Sequence, residues 1–178
     1  GSLNHTLGGL VAGNLRFLEH HAQHPNQSAD RVLKLSKRQN PHTVMITCSD
    51  SRVAPEIVFD QGLGDFFTIR TAGHALSMND IASIEYAVML LGAQQIVVMG
   101  HTYCGAVQAS VHQDSAHTAG SKSLESLVSQ IKMGIGKIED NDHDFSKAAR
   151  NNVRSTLQFI LIHSPMIRTS FLEKKVSL

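Results

Sequence analysis

Three short apolar runs constrain this chain more than anything else in it: Val44-Met45-Ile46-Thr47-Cys48, Phe66-Phe67-Thr68-Ile69-Arg70 and Gln95-Ile96-Val97-Val98-Met99-Gly100. Each is too short for a helix and apolar almost without interruption, the mark of a strand buried on both faces. Helical signals fill the gaps. Pro55 opens a turn of helix through Ile57, Val58 and Phe59, and Gly62 and Gly64 form a turn. Asn79 or Asp80 is placed to cap a helix carrying Ile81, Ile84, Tyr86, Ala87, Val88, Leu90 and Leu91, which Gly92 stops. Strand, helix, strand, helix, strand predicts an α/β fold: a mostly parallel β-sheet flanked by helices.

The flanks are helical. Leu7, Leu10, Val11, Leu15, Phe17 and Leu18 recur at helical spacing within residues 5–22. Ser28 or Asp30 caps a second helix with Val32, Leu33 and Leu35, which Asn40-Pro41 ends. Downstream, a helix starts near Cys104 or Gly105 and runs to about Val111, residues 112–122 read as a loop, and 123–138 read as helix. Asp140-Asn141-Asp142 interrupts, and a last long helix over 145–163 stops at Ser164-Pro165. With no repeat or linker, residues 1–178 read as a single domain.

Composition excludes some partners. Sixteen Lys+Arg against 15 Asp+Glu, without a basic stripe, argue against nucleic acid. No apolar stretch approaches the roughly 20 residues of a membrane span. Two cysteines are too few for a disulfide framework, and reduced thiols favour the cytoplasm. Gly1-Ser2 reads as a cloning scar, which leaves a removed targeting segment, and a periplasmic or organellar address, open. Among the histidines, His20, His21, His24, His112, His117 and His143 lie in polar surroundings and read as surface residues.

In parallel sheets, sites form beyond the carboxyl ends of the strands. Cys48 closes the first run, His101 follows the third, and Cys104 comes three residues later. Two thiolates and an imidazole suit Zn²⁺, and three protein ligands with an open fourth position are the pattern of a reaction centre. The two halves meet if strands 44–48 and 95–100 are neighbours. Cys48, Asp50 and Arg52 alternate, so an extended chain points all three to one side. Arg52 is placed to fork the Asp50 carboxylate, holding it off the metal with its second oxygen free. An aspartate so held can aim a zinc-bound hydroxide at a small electrophile. Two thiolates make a weaker Lewis acid than three histidines, yet still acidify a bound water. The rival readings are cysteines as core thiols, Asp50–Arg52 as a structural ion pair, His74 as a fourth ligand, Tyr86 as core, and His101–Cys104 as a thiol-hydrolase pair.

Cys48-Ser49-Asp50-Ser51-Arg52-Val53, Phe59-Asp60-Gln61-Gly62-Leu63-Gly64-Asp65, Arg70-Thr71-Ala72-Gly73, Ser83-Ile84-Glu85-Tyr86-Ala87 and Gly100-His101-Thr102-Tyr103-Cys104-Gly105-Ala106, in this order, resemble the β-class carbonic anhydrases. The likeness extends from Gly13-Asn14-Leu15-Arg16-Phe17 to Ser164-Pro165. It implies reversible hydration of CO₂ to bicarbonate and a proton. Cys48, His101 and Cys104 match the zinc ligands, and Asp50 and Arg52 the catalytic dyad. Asp50 would be the fourth ligand only in a closed, inactive form, so that activity rises with pH. The resemblance implies that Gln39, Phe67, Ala72, Tyr86 and Gly105 line the substrate pocket. It also implies a pocket at the subunit interface of a homodimer, with homotetramers or larger assemblies built from it. One departure stands out: the resemblance implies a further strand after the helix that follows Ser164-Pro165, but the sequence stops at Lys175-Val176-Ser177-Leu178, where that strand would start. The expected fold therefore lacks this C-terminal strand, which affects the sheet edge and the assembly more than the zinc site. A hydrolase of CS₂ or COS with the same geometry and a non-catalytic zinc-binding homologue are the alternatives.

Overall fold

A computed structural model describes residues 7–112, 118–138 and 145–178. The expected helix start at residues 5–6, residues 113–117 of the 112–122 loop, including His117, the Asp140-Asn141-Asp142 interruption and His143 lie outside the described residues.

Strand β1 (Thr43–Cys48) is buried at every position. It runs parallel to β2 (Phe66–Thr71) on one side and β3 (Gln95–Met99) on the other, giving the order β2-β1-β3. Cys48 pairs with Thr71, and Thr47 with Met99, so the three carboxyl ends finish level. Alternation along β1 feeds two cores. Val44 and Ile46 pack with Ile84, Ile160 and Ile167 of helices α4 (Met78–Glu85), α7 (Ser146–His163) and α8 (Pro165–Leu172). Met45 packs with Phe66 and with Leu10 of α1 (Leu7–Leu18). Burial on both faces is why β1 reads without polar alternation. Helices α5 (Gly105–His112) and α6 (Lys122–Ile135) build a third cluster around Cys48 and Cys104.

Local chemistry sets the helix ends. Ser28 caps α2 (Ala29–Leu35) as expected, and α2 stops at Leu35, ahead of Asn40-Pro41, where Ser36 bonds back to the Leu33 carbonyl. The cap of α4 is neither Asn79 nor Asp80 but Ser77. Its hydroxyl oxygen accepts from the Asp80 N–H while the Asp80 carboxylate accepts from the Ser77 N–H, a capping box. The expected continuous helix changes pitch at Tyr86–Leu90, a π turn in which the Leu91 N–H reaches the Tyr86 carbonyl. Gly92, at φ 77°, ends it, because the left-handed exit suits a residue without Cβ. Tyr86 is not core: it is 45% exposed, its ring 6.1 Å from that of Phe67.

Beyond α8, Ser177 forms a parallel bridge with Gln95. Its N–H donates to the Gln94 carbonyl and its carbonyl accepts from the Ile96 N–H. This single bridge lies on the outer edge of β3, and the sheet of the described residues has three strands.

The short helix α3 (Pro55–Val58) and α1 are tied through Asp60. Its buried carboxylate accepts from Arg16 Nε at 2.6 Å and from the Gln23 and His24 N–H groups at 2.9 Å. Burial alone would raise its pKa. The two amides and Arg16 outweigh that and hold it below the ordinary carboxylate value. The folded pKa is therefore lower than the unfolded one. The stabilisation is complete above the unfolded value of about 3.9 and fades as pH falls through the folded one. Asp60→Asn is expected to cost on the order of 2 kcal/mol at pH 7, and less near pH 3. Denaturant unfolding at both values checks this; equal losses would remove the charge from the account.

Candidate metal centre

Strand β1 delivers Cys48 at its last residue, the loop after β3 delivers His101, and Cys104 stands at the entrance to α5. The two Sγ atoms lie 3.9 Å apart, and the ligand atoms of Cys48, His101 and Cys104 all fall within 4.8 Å of one another. Two thiolates at about 2.3 Å from one tetrahedral ion would be separated by about 3.8 Å, so the thiol spacing fits such an ion.

The imidazole fits as well. His101 Nδ1 donates to the Thr102 carbonyl at 2.8 Å, which fixes the tautomer and leaves the lone pair on Nε2. That Nε2 is buried without a hydrogen-bond partner. A bare buried lone pair beside two thiols is unfavourable unless a cation takes it.

The thiols share their protons unequally. The bond from Cys104 pulls Cys48 well below the ordinary thiol value against its burial, helped by the amides of Asp50 and Gly73. Cys104 is pushed up by its bond to Cys48 and by burial. The pair holds one negative charge readily, and the second requires a cation between them.

Past Cys48 the chain does not stay extended. It turns at Ser51-Arg52, and this turn, not strand alternation, gathers the carboxylate and guanidinium. Asp50 Oδ1 accepts from the Arg52 N–H and from Nε, both at 2.9 Å, and Oδ2 accepts from Nη2 at 2.7 Å. The expected two-point fork is there, but both oxygens are engaged; Oδ2, with one donor, keeps a lone pair. The fork holds the Asp50 carboxyl well below the usual range and raises Arg52 in return. Asp50 Oδ2 lies 3.8 Å from His101 Nε2. Arg52 Nη2 also donates to the Tyr103 carbonyl at 3.1 Å, joining the two halves of the centre.

Sequence reasoning assigned no role to Arg70. Its Nε donates to the Cys48 carbonyl at 3.0 Å and its Nη2 to the Asp50 carbonyl at 2.7 Å, clamping the ligand loop. The available signal was register: Arg70 lies opposite Thr47 on the neighbouring strand.

The expected pocket residues divide. Ala72 precedes Gly73, whose N–H donates to Cys48 Sγ at 3.3 Å, and Gly105 follows Cys104. Gln39, Phe67 and Tyr86 stand elsewhere in the chain. Phe67 pairs with Val44, four residues before Cys48, which is about 13 Å down the strand. Gln39 and Tyr86 line a separate cleft of about 520 Å³ with Arg38 and Leu90. His74 is outside the ligand cluster; its Nδ1 meets Thr156 Oγ1 at 2.9 Å, and burial pushes it down to about 4, so it stays neutral. His20, His21, His24 and His112 are exposed, as read.

Fold and donor set define an α/β protein with a Cys-His-Cys candidate metal centre at the carboxyl edge of a parallel sheet. A family model described as carbonic anhydrase matches residues 43–178. Carbonic anhydrase 2 of Mycobacterium tuberculosis is 52% identical over 102 residues, which cover 57% of this chain and 49% of that protein. The carbonic anhydrase of Mycolicibacterium smegmatis is 38% identical over 157 residues, 83% of this chain and 76% of that one. A tetrameric β-carbonic anhydrase of Sordaria macrospora superposes with a TM-score of 0.72 at 25% identity, over 93% of this chain and 85% of that structure. The chain belongs to the β-carbonic anhydrase family. It spans about half the length of the M. tuberculosis relative it matches.

The purified chain is expected to take up about one equivalent of Co²⁺ with thiolate charge-transfer absorption. Cys48→Ser and Cys104→Ser should each weaken uptake and reduce that absorption. Full absorption and unchanged affinity in Cys104→Ser would remove Cys104 from the site.

Proposed function

We propose that this chain is a zinc enzyme that reversibly hydrates CO₂ to bicarbonate and a proton. The observation that carries this reading is one juxtaposition: three ligand atoms within 4.8 Å, with an arginine-forked carboxylate 3.8 Å from the imidazole Nε2. Zinc held there would act as a Lewis acid, acidifying a water in its fourth position.

The chain's own residues do the rest. Asp50, ionised and fixed by Arg52, can accept a hydrogen bond on Oδ2 and orient an attacking oxygen. While Arg52 holds both oxygens, Asp50 cannot swing onto the metal; closure requires breaking the fork. Arg70 keeps Cys48 and Asp50 in register with each other.

Stopped-flow hydration of CO₂ with a pH indicator tests the proposal. Zinc-loaded protein should exceed the buffer rate, and Asp50→Asn should lower kcat by about 10²-fold or more. A folded, zinc-loaded chain at the buffer rate would refute it. Turnover of CS₂ or COS instead would favour the hydrolase reading.

We also propose that the functional unit is a homodimer, with tetramers such as that of Sordaria macrospora built on it. Gln39, Phe67 and Tyr86 lie apart from the centre of their own chain, so we assign them to the pocket of a partner. Co-expressing Cys104→Ser chains with chains carrying Phe67→Ala and Tyr86→Ala should restore activity that neither variant has alone. A mixed dimer without recovery would contradict this division of the pocket.

A further inference from the structure

We propose that Asn152 and Thr156, two buried polar side chains of α7, are positioning residues for Cys48: they clamp the Ala72–His74 turn so that the Gly73 N–H stays aimed at the sulfur. This deepens the metal-centre reading and rests on it.

The turn is an unusual piece of backbone. Gly73 and His74 both occupy the left-handed region, at φ 58° and 45°. For a residue with a Cβ this costs about 1 kcal/mol or more, and it persists only where the surroundings enforce it. The surroundings here are specific. Asn152 Nδ2 donates to the Gly73 carbonyl at 2.8 Å. Thr156 Oγ1 and His74 Nδ1 share a hydrogen bond of 2.9 Å. The second ring nitrogen of His74 meets Asn152 Nδ2 at 3.4 Å. Asn152, Thr156 and His74 are 4%, 6% and 2% exposed, so these bonds form out of water. From the other side, α5 and α6 press on the turn. A Cβ on Gly73 would lie 2.6 Å from Ile131 Cδ1 and 3.0 Å from Ala106 Cβ.

The clamp ends on a ligand atom. Gly73 N–H reaches Cys48 Sγ at 3.3 Å, and the Asp50 N–H reaches the same sulfur at 3.4 Å. Hydrogen bonds to a thiolate draw electron density away from it, so a bound metal keeps more Lewis acidity. A donor set with two thiolates has most to gain from this. Asn and Thr are poor helix formers, and an apolar pair would fill the same space in α7. A clamp that only held the fold would leave the sulfur's electronic state unchanged, which separates the two roles.

Cobalt-substituted protein reads that state directly. Asn152→Leu and Thr156→Val keep approximate shape and remove the bonds. Asn151→Leu is the control, because Asn151 makes the same kind of bond to the Ile135 carbonyl at the end of α6 and not to the Ala72–His74 turn. Asn152→Leu is expected to move the sulfur-to-cobalt charge-transfer band to lower energy and to weaken Co²⁺ binding, measured by chelator competition, about tenfold or more. Thr156→Val should do the same to a smaller degree, and Asn151→Leu should do neither. Wild-type bands and affinities in the two test variants would overturn the proposal. If Asn152→Leu does not fold, Thr156→Val, which exchanges one hydroxyl for a methyl, decides alone. No turnover is measured, so the result is independent of CO₂ hydration. A wild-type chain with no cobalt band would instead sink the metal-centre reading, and this inference with it.

Discussion

The centre depends on the backbone ladder that pairs Cys48 with Thr71 and Thr47 with Met99. Parallel pairing ends the three strands at one level, and the loops leaving them meet. A slip of one residue would carry Cys48 about 3.3 Å along the strand and turn it to the opposite face. Val44, Ile46 and Met45 prevent that slip, because each is buried in one of two different cores and none tolerates the other face. The positions of the ligands are thus set by apolar packing well below them, before any metal contributes.

Above the sheet, charge takes over from packing. Two arginines act on the loop that follows Cys48 in different ways. Arg70 binds the backbone carbonyls of Cys48 and Asp50, so it fixes where the loop runs. Arg52 binds the Asp50 carboxylate and the Tyr103 carbonyl, so it fixes where the negative charge points and ties the Cys48 loop to the Cys104 loop. The Arg52 guanidinium also offsets the charge of the thiols and carboxylate crowded into one corner. The bidentate fork is what gives Asp50 a direction. A lysine there would supply charge without geometry.

Much of this was legible in the chain. The apolar runs carried the sheet, and the placement of Cys48 and His101 just at or beyond their ends carried the meeting of the ligands. What was not legible has particular causes. Strand alternation was extended two residues too far, so the turn at Ser51-Arg52 was missed although a forked Asp–Arg pair was expected. Ser77 was passed over as a cap although Ser77-Met78-Asn79-Asp80 carries the capping-box pattern, because Asn79 and Asp80, also cap-type residues, stand closer to the apolar run. Asn152 and Thr156 carried no local signal at all. Asn152 lies 79 residues from Gly73 in sequence, and only the passage of α7 behind the turn brings them together.

The separation of Tyr86 from Cys48 follows from the same architecture. The centre sits at the carboxyl edge of the sheet, whereas Phe67 and the π turn at Tyr86–Leu90 lie toward the amino ends of the strands. No side-chain rearrangement within a chain spans the length of β2. A wide turn of helix costs hydrogen-bond quality, and here it presents Tyr86 and Leu90 outward, at 45% and 73% exposure, instead of into the core that Ile81 and Ile84 fill. An exposed aromatic and aliphatic pair beside a polar cleft is a surface built to be covered. The apolar stripe of Leu7, Val11, Leu15 and Leu18 on α1 is a second such surface. In the homodimer proposed above, both surfaces would be covered and each chain would supply the aromatic wall of its partner's centre. Assembly and catalysis would then be one requirement, so loss of the α1 stripe would abolish turnover while leaving the Cys-His-Cys ligand geometry intact.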